Sequence, residues 1–108
     1  MPHKWSDAGV AIECQFTGAH LLHLATAACV LNDLYREATL IGVHLDGVRV
    51  GAAGSFDTET WQSEGIVYRV EIDSPSGRED VDRLLATVDE VAEIPRALRS
   101  GAQVVREK

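Results

Sequence analysis

No Asp, Glu, Lys or Arg falls between Glu13 and Asp33. That absence excludes a helix bathed in solvent on all sides for the stretch Gly18-Ala19-His20-Leu21-Leu22-His23-Leu24-Ala25-Thr26-Ala27-Ala28-Cys29-Val30-Leu31-Asn32-Asp33-Leu34. Its apolar residues sit on every side of the helix and not along one stripe, the pattern of a core or a large interface. The stretch is still no membrane span. His20, His23 and Thr26 interrupt it, and its solid apolar part falls well short of the roughly 20 residues needed. A basic surplus is also missing: 10 Lys and Arg stand against 17 Asp and Glu, for a net charge of −7. Nucleic acid and an anionic membrane surface are thereby excluded as partners, because both want a basic patch. Cysteine is scarce, with two in 108 residues, too few for a disulfide framework. Two reduced thiols in a cytoplasmic protein are the expectation. Met1 to Asp7 is polar and is not followed directly by the apolar run of a signal peptide. The length predicts one domain over residues 1–108.

What is present alternates between two periods. Val10, Ile12, Cys14 and Phe16 alternate with Ala11, Glu13 and Gln15, which predicts a half-buried strand. Thr17 is placed to cap the helix that follows, expected to run to about Arg36. From Leu40 the period changes to two through Ile41, Val43 and Leu45, then Val48 and Val50. Asp46-Gly47 within this run is a hairpin signal on local rules, and a bulge in one long strand reads similarly. Ile66, Tyr68, Val70 and Ile72 alternate with Val67, Arg69 and Glu71 as a further strand. Ser74-Pro75-Ser76-Gly77 stops it, and Ser76 with Glu79 fits a capping box. Val81, Leu84, Leu85, Val88 and Val91 then mark an amphipathic helix whose outer face carries Asp80, Asp82, Asp89 and Glu90. Pro95 should end or kink it. Arg96 to Arg99 reads as a short helical turn closed by Gly101, and Gln103 to Arg106 as a last short strand.

The small residues around Ala27-Ala28-Cys29, the apolar turn after them and the order of elements downstream resemble the OsmC/Ohr family. Glu93-Ile94-Pro95-Arg96-Ala97-Leu98 resembles the family's Cys-Pro segment. The resemblance covers about Thr17 to Val105. It implies an α+β fold with a mainly antiparallel sheet packed on a buried central helix, in an intertwined homodimer. Within that pattern, Leu40 to about Ala52 becomes one long strand paired with Ile66 to Ile72, and we adopt it over the tight hairpin. Family members usually carry several strands before the helix, and this chain has room for about one.

Many members reduce organic hydroperoxides with a reactive cysteine, a resolving cysteine, a glutamate and an arginine. Cys29 matches the reactive cysteine and is the one catalytic candidate the resemblance yields. Ile94 stands where the resolving cysteine would be. Gly18-Ala19 falls on the family's Pro-Glu, so the glutamate is missing, and no arginine precedes Arg36. The resemblance therefore implies an OsmC-like protein without the full two-cysteine peroxidase site. The alternative is a thiol-dependent organic hydroperoxide reductase in oxidative stress, using Cys29 with an external reductant. Its expected partners are a second copy of the chain and a small apolar ligand or organic hydroperoxide, with no cofactor.

Each candidate has a plainer reading. Free cysteine is commonly a small buried hydrophobe. A thiol turns reactive beside a cation, a metal or a helix N-terminus, and a mid-helix position supplies none of these. Cys14, on the apolar side of its strand, is a structural residue before it is a substitute resolving thiol. His20 and His23 are neighbours on one helix face. No further ligand lies on that face, and a metal wants at least three, so no metal is assigned. Partial exposure or a hydrogen bond to a neighbouring chain accounts for them. Trp5 and Trp61 are expected to cover core edges or an interface. If Cys29 reacts, the cation supporting its thiolate must come from His20 or His23 of a partner chain, or from Arg96 or Arg99.

Overall fold

The computed structural model describes residues 1–107. The first helix, α1, spans Gly18–Ile41. Thr17 caps it as expected: its Oγ1 accepts a hydrogen bond from the His20 amide at 3.0 Å. The helix outruns its expected end at Arg36, and Leu40 and Ile41 belong to it and not to a strand. Gly42 stops it at φ 75°, with the Gly42 and Val43 amides both bonded to the Ala38 carbonyl. This left-handed cap is one glycine adopts without a Cβ penalty. The apolar Leu40-Ile41 pair reads equally well as helix or strand, and the glycine two residues on decides between them.

Strand β1, Gly47–Phe56, pairs antiparallel with β2, Ser63–Asp73, as a two-stranded sheet. Val50 lies opposite Val70 and Val48 opposite Ile72. The tight hairpin at Asp46-Gly47 does not form, and the pairing follows the family pattern, although the strand begins at Gly47 instead of Leu40. The register breaks between Gly54 and Phe56. The actual turn is Asp57 to Gln62. There the Asp57 carboxylate accepts from the amides of Glu59 and Thr60, at 2.8 and 2.9 Å. Both bonds favour the charged carboxylate and hold Asp57 below the ordinary range.

Helix α2 is Arg78–Val91 and helix α3 is Glu93–Ser100, joined by the single residue Ala92. Pro95 lies in the first turn of α3, where its missing N–H costs nothing. The expected turn over Arg96 to Arg99 is thus part of a two-turn helix that ends at Gly101. The Ser76–Glu79 capping box is not formed. Gly77 is the N-cap and has no side chain to offer. Ser76 Oγ accepts instead from the His44 amide at 3.3 Å, which ties the β1 approach to the α2 entry.

The core is one cluster of Val30, Leu34, Ala38, Val43, Leu84, Val88 and Ala92, with Cys29, Leu45, Val48, Val50, Tyr68, Val70 and Ile72 packed on it. The alternation in β2 holds: Ile66, Tyr68, Val70 and Ile72 face inward while Val67, Arg69 and Glu71 are exposed. Two expected strands are absent. Val10 to Phe16 carries no regular structure, and residues 11–17 are exposed. Gln103 to Arg106 is likewise exposed and irregular. A lone strand has no partner for its backbone groups, and neither segment pairs with an edge of the sheet.

The α1 helix is buried along one face only. His23, Thr26, Ala27, Val30, Asp33, Leu34 and Ala38 are covered, at helical spacing. Leu21, Leu40 and Ile41 remain exposed, as do Ile12 and Phe16 before it. No helix among the described residues is long and apolar enough to cross a membrane.

Candidate functional site

Cys29 sits where α1 meets the α2–α3 junction, half-buried and free. Its neighbours explain its chemistry. Burial pushes the thiol above its ordinary value, and the Asp33 and Glu93 carboxylates push the same way. Backbone hydrogen bonding from Ile94, and less from Glu93, pulls in the opposite direction and loses to burial. Those two amides open α3, so the sulfur faces a helix N-terminus that sequence reasoning did not place beside it. The Ile94 and Glu93 amides act at the margin, because no full hydrogen bond to the sulfur forms among the described residues. The charged groups acting on the thiol are both negative, and a neutral thiol is a poor nucleophile. Ile94, the position matched to the resolving cysteine, is indeed brought to Cys29.

Asp33, one helical turn after Cys29, is 3 % exposed. A buried carboxylate needs partners. Arg36 supplies one at 3.2 Å and the Asn32 amide another at 3.1 Å. Asn32 Oδ1 in turn meets His3 Nε2 at 3.0 Å, and the His3 ring stands edge-on to Tyr35 at 5.8 Å. The N-terminal turn is therefore anchored on α1. The Met1 ammonium donates to the Val10 carbonyl, and the Val10 amide donates to the Met1 carbonyl. The spacing of Cys29 and Asp33 at i, i+4 was the available signal for their contact.

The remaining candidates disperse. Cys14 lies on no strand and is exposed, its Sγ donating to the neighbouring Gln15 carbonyl at 3.0 Å. His20 is exposed and tied to Thr17 Oγ1 at 2.6 Å. His23 is buried within its own chain, contrary to the expected partial exposure, and stacks on Phe56 at 6.3 Å. Its Nε2 has no hydrogen-bond partner. It points at Gly54, where a Cβ would lie 2.9 Å from that nitrogen and 2.4 Å from the Gly65 carbonyl oxygen. Glycine is thus required at 54 by close approach. Among the described residues no group of three or more His, Cys, Asp or Glu is placed to hold a metal. Trp5 is half-buried under the Lys4 ammonium at 5.0 Å. Trp61 covers no core edge of its own chain, being 72 % exposed in a left-handed turn position with φ 60°.

One polar constellation went unread in the sequence. Asp89 of α2 accepts from the Tyr68 hydroxyl of β2 and, at 2.9 Å, from Arg99 of α3. Arg99 also donates to the Asp89 main-chain carbonyl at 3.0 Å. Asp89, which the sequence marks as part of a solvated helix face, therefore joins three elements, and Arg99 is committed to it. Burial and the Asp89 carboxylate push the Tyr68 phenol up to about 12. The Tyr68 hydroxyl, then Arg99, hold Asp89 below its ordinary range. The phenol's contribution to stability is complete below its ordinary value near pH 10 and is lost as pH rises toward 12. That of Asp89 is present above the ordinary carboxylate range and is lost as pH falls through its lowered value. An ultraviolet titration should show a tyrosine ionising only near pH 12, and Tyr68→Phe should remove that late step. A late step that survives the change would assign it elsewhere.

Comparison with known proteins gives one consistent result. The family model for OsmC-like proteins matches residues 13–107. An OsmC-like protein of Mycoplasma pneumoniae superposes with a TM-score of 0.73 at 19 % identity, over 81 % of this chain and 64 % of that one. An organic hydroperoxide resistance protein OsmC of Legionella pneumophila gives 0.66 at 20 % identity, over 77 % and 61 %. An OsmC-like hydroperoxide resistance protein of Jannaschia gives 0.64 at 14 % identity, over 94 % and 69 %. The chain spans less than two thirds of the length of the first two. Comparison with curated proteins gave no match.

Proposed function

Because the chain belongs to the OsmC-like protein family, we propose that it acts as a homodimeric, divergent member. In this reading Cys29 is a shielded neutral thiol, and a small apolar ligand is held at the dimer seam. The observation that carries it is the surroundings of Cys29. Burial and two carboxylates raise its pKa, and a weaker pull from backbone amides opposes them. Of the cations suggested by the sequence, Arg99 is held by Asp89, His20 by Thr17, and His23 is packed on Phe56, while Arg96 is exposed and none of the four acts on the thiol within this chain. Ile94 leaves no second thiol at the site. Homodimerisation is supported by large apolar side chains that the single chain leaves uncovered, Leu21, Leu40 and Ile41 on α1 and Ile12 and Phe16 before it. A helix apolar all round is covered by a partner when its own chain covers one face.

The second reading is a one-cysteine hydroperoxide reductase supported by external thiol. It is favoured by the start of α3 facing the Cys29 sulfur, since a helix N-terminus stabilises a thiolate. The Legionella and Jannaschia proteins carry hydroperoxide resistance in their names. The discriminating measurement is turnover of an organic hydroperoxide with dithiol reductant, on the native protein and on Cys29→Ser. We expect weak or no turnover in both. Robust turnover abolished by the serine change would establish the reductase. Robust turnover that survives it would remove Cys29 from the chemistry. Sedimentation at micromolar concentration should show a dimer, and a stable folded monomer there would refute the assembly.

A further inference from the structure

The charged side chains nearest the thiol have one sign. Cys29 and Asp33 are four residues apart on the unbroken helix α1, so they are neighbours on one face. Asp33 is almost wholly buried, where salt screens its charge poorly. Arg36 pairs with it at 3.2 Å and is the only Lys or Arg on α1. That guanidinium does not cancel the carboxylate at the sulfur. It is shared with Glu37 at 3.4 Å, and it belongs to the turn beyond Asp33, so the anion is the closer of the two. Across the junction, Cys29 packs on the cluster that contains Ala92, and Glu93 follows Ala92 as the first residue of α3. Both carboxylates are felt at the sulfur: after burial, and against the Ile94 amide, Asp33 and then Glu93 push the thiol up. The amides at the start of α3 favour a charge on the sulfur itself. Their influence fades within one helical turn, whereas a full charge reaches further. Arg96, one turn further along α3, is exposed and does not act on the thiol.

We propose that Asp33, seconded by Glu93, makes the Cys29 site selective for uncharged molecules and closes it to anions. The ligand class of the site is then a neutral apolar compound, and not one that carries a carboxylate or phosphate near the end it presents to the sulfur. The reason is Coulombic. An anionic ligand brings its charge toward a buried carboxylate, and one such repulsion across several ångströms changes binding or rate by roughly threefold to thirtyfold. A neutral ligand of the same shape meets no such barrier, so the discrimination comes from repulsion of the wrong ligand. The inference rests on Cys29 being the ligand site proposed above. Robust hydroperoxide turnover would change the reading of the thiol and leave the charge selectivity standing. Loss of the selectivity would leave the shielded thiol standing.

The test is a pair of alkylating reagents of nearly one shape and two charges, neutral iodoacetamide and anionic iodoacetate. In both, the thiolate displaces iodide from carbon, so the thiolate fraction cancels in the ratio of the two rates. Each ratio is referred to that of N-acetylcysteine. Cys14, exposed beside Glu13, gauges in the same molecules what the net charge of −7 does alone. The preference for iodoacetamide at Cys29 should exceed that at Cys14 by roughly threefold to thirtyfold. Asp33→Asn keeps the shape and should lower the Cys29 preference by about threefold or more, leaving Cys14 unchanged. Arg36→Gln breaks the same ion pair but leaves the carboxylate uncompensated, so the preference should rise. Loosened structure alone would move both variants the same way, toward the free-thiol ratio. Glu93→Gln, at an exposed position, should give a smaller decrease. Equal preferences at Cys29 and Cys14 in the native protein would overturn the proposal, a result that no variant's folding affects. So would a preference that Asp33→Asn leaves intact, or a preference of Cys29 for iodoacetate, which would give control of the site to the start of α3.

Discussion

Ile94→Cys is expected to create a disulfide that the native chain cannot form. Treated with one equivalent of an organic hydroperoxide, the variant should lose both thiols at the site together. The Cys29 thiolate attacks the peroxide, the O–O bond breaks, an alcohol leaves and a sulfenic acid remains. The introduced thiol then attacks that sulfur and expels water. The reason is positional. The Ile94 backbone already lies against Cys29 at the start of α3, and a disulfide needs Cα atoms no more than about 7 Å apart. A Cys14→Ser background removes the exposed thiol that would complicate the count. Mass spectrometry should find a loss of two hydrogens and a linked peptide pair spanning positions 29 and 94. Native protein, with Ile94 in that place, has no second thiol at the site and should form no such cross-link. A variant in which Cys29 is oxidised without the cross-link would show that position 94 cannot reach the sulfur.

Leu34→Ala should be the most damaging single truncation in the chain. Leu34 is fully buried at the centre of the cluster that joins α1 to α2 and the sheet. Truncation removes transfer energy and leaves a cavity, at a cost of about 2–5 kcal/mol. Total stability is of the order of 5–15 kcal/mol, so a large fraction is lost, and the melting temperature should fall by roughly 10 °C or more. Leu40→Ala supplies the contrast. Leu40 is 71 % exposed in the single chain, so its loss should change denaturant stability by less than about 0.5 kcal/mol unless a partner covers it. A Leu40→Ala protein that is weakened in dimerisation but not in the unfolding of each protomer would locate the interface on that side of α1. Similar losses for the two variants at all protein concentrations would contradict the burial of Leu34 as the centre of the core.

The elements legible in advance were those whose signals are local. Thr17 capping α1, the alternation from Ile66 to Ile72, and the stripe of Val81, Leu84, Leu85 and Val88 each depend on backbone period or on groups within four residues. The family resemblance was legible in the same way, from Ala27-Ala28-Cys29 and the order of elements after it. It resolved one conflict between local rules, because Asp46-Gly47 looks like a hairpin in isolation. The strand pairing was decided by Val48 and Val50 matching Ile72 and Val70 across the sheet. The capping box at Ser76 failed for a related reason: the hydroxyl found a more distant partner in the His44 amide.

The chemistry of the candidate site was decided at longer range. The residue types at Cys29, Ile94 and Gly18-Ala19 are read directly from the chain, and they already remove the second thiol and the family glutamate. That the sulfur faces the amides of Ile94 and Glu93 depends on how α3 turns at Ala92. The burial of Asp33 and His23, and the meeting of Tyr68, Asp89 and Arg99, depend on packing between elements far apart in sequence. A pKa responds to every charge, dipole and desolvated surface within a few ångströms, and sequence spacing specifies such neighbours only along one helix or strand. The sequence alone thus determined which groups the site possesses. Tertiary structure decided which of them meet, because proximity between separate elements is created only when their apolar faces are buried together.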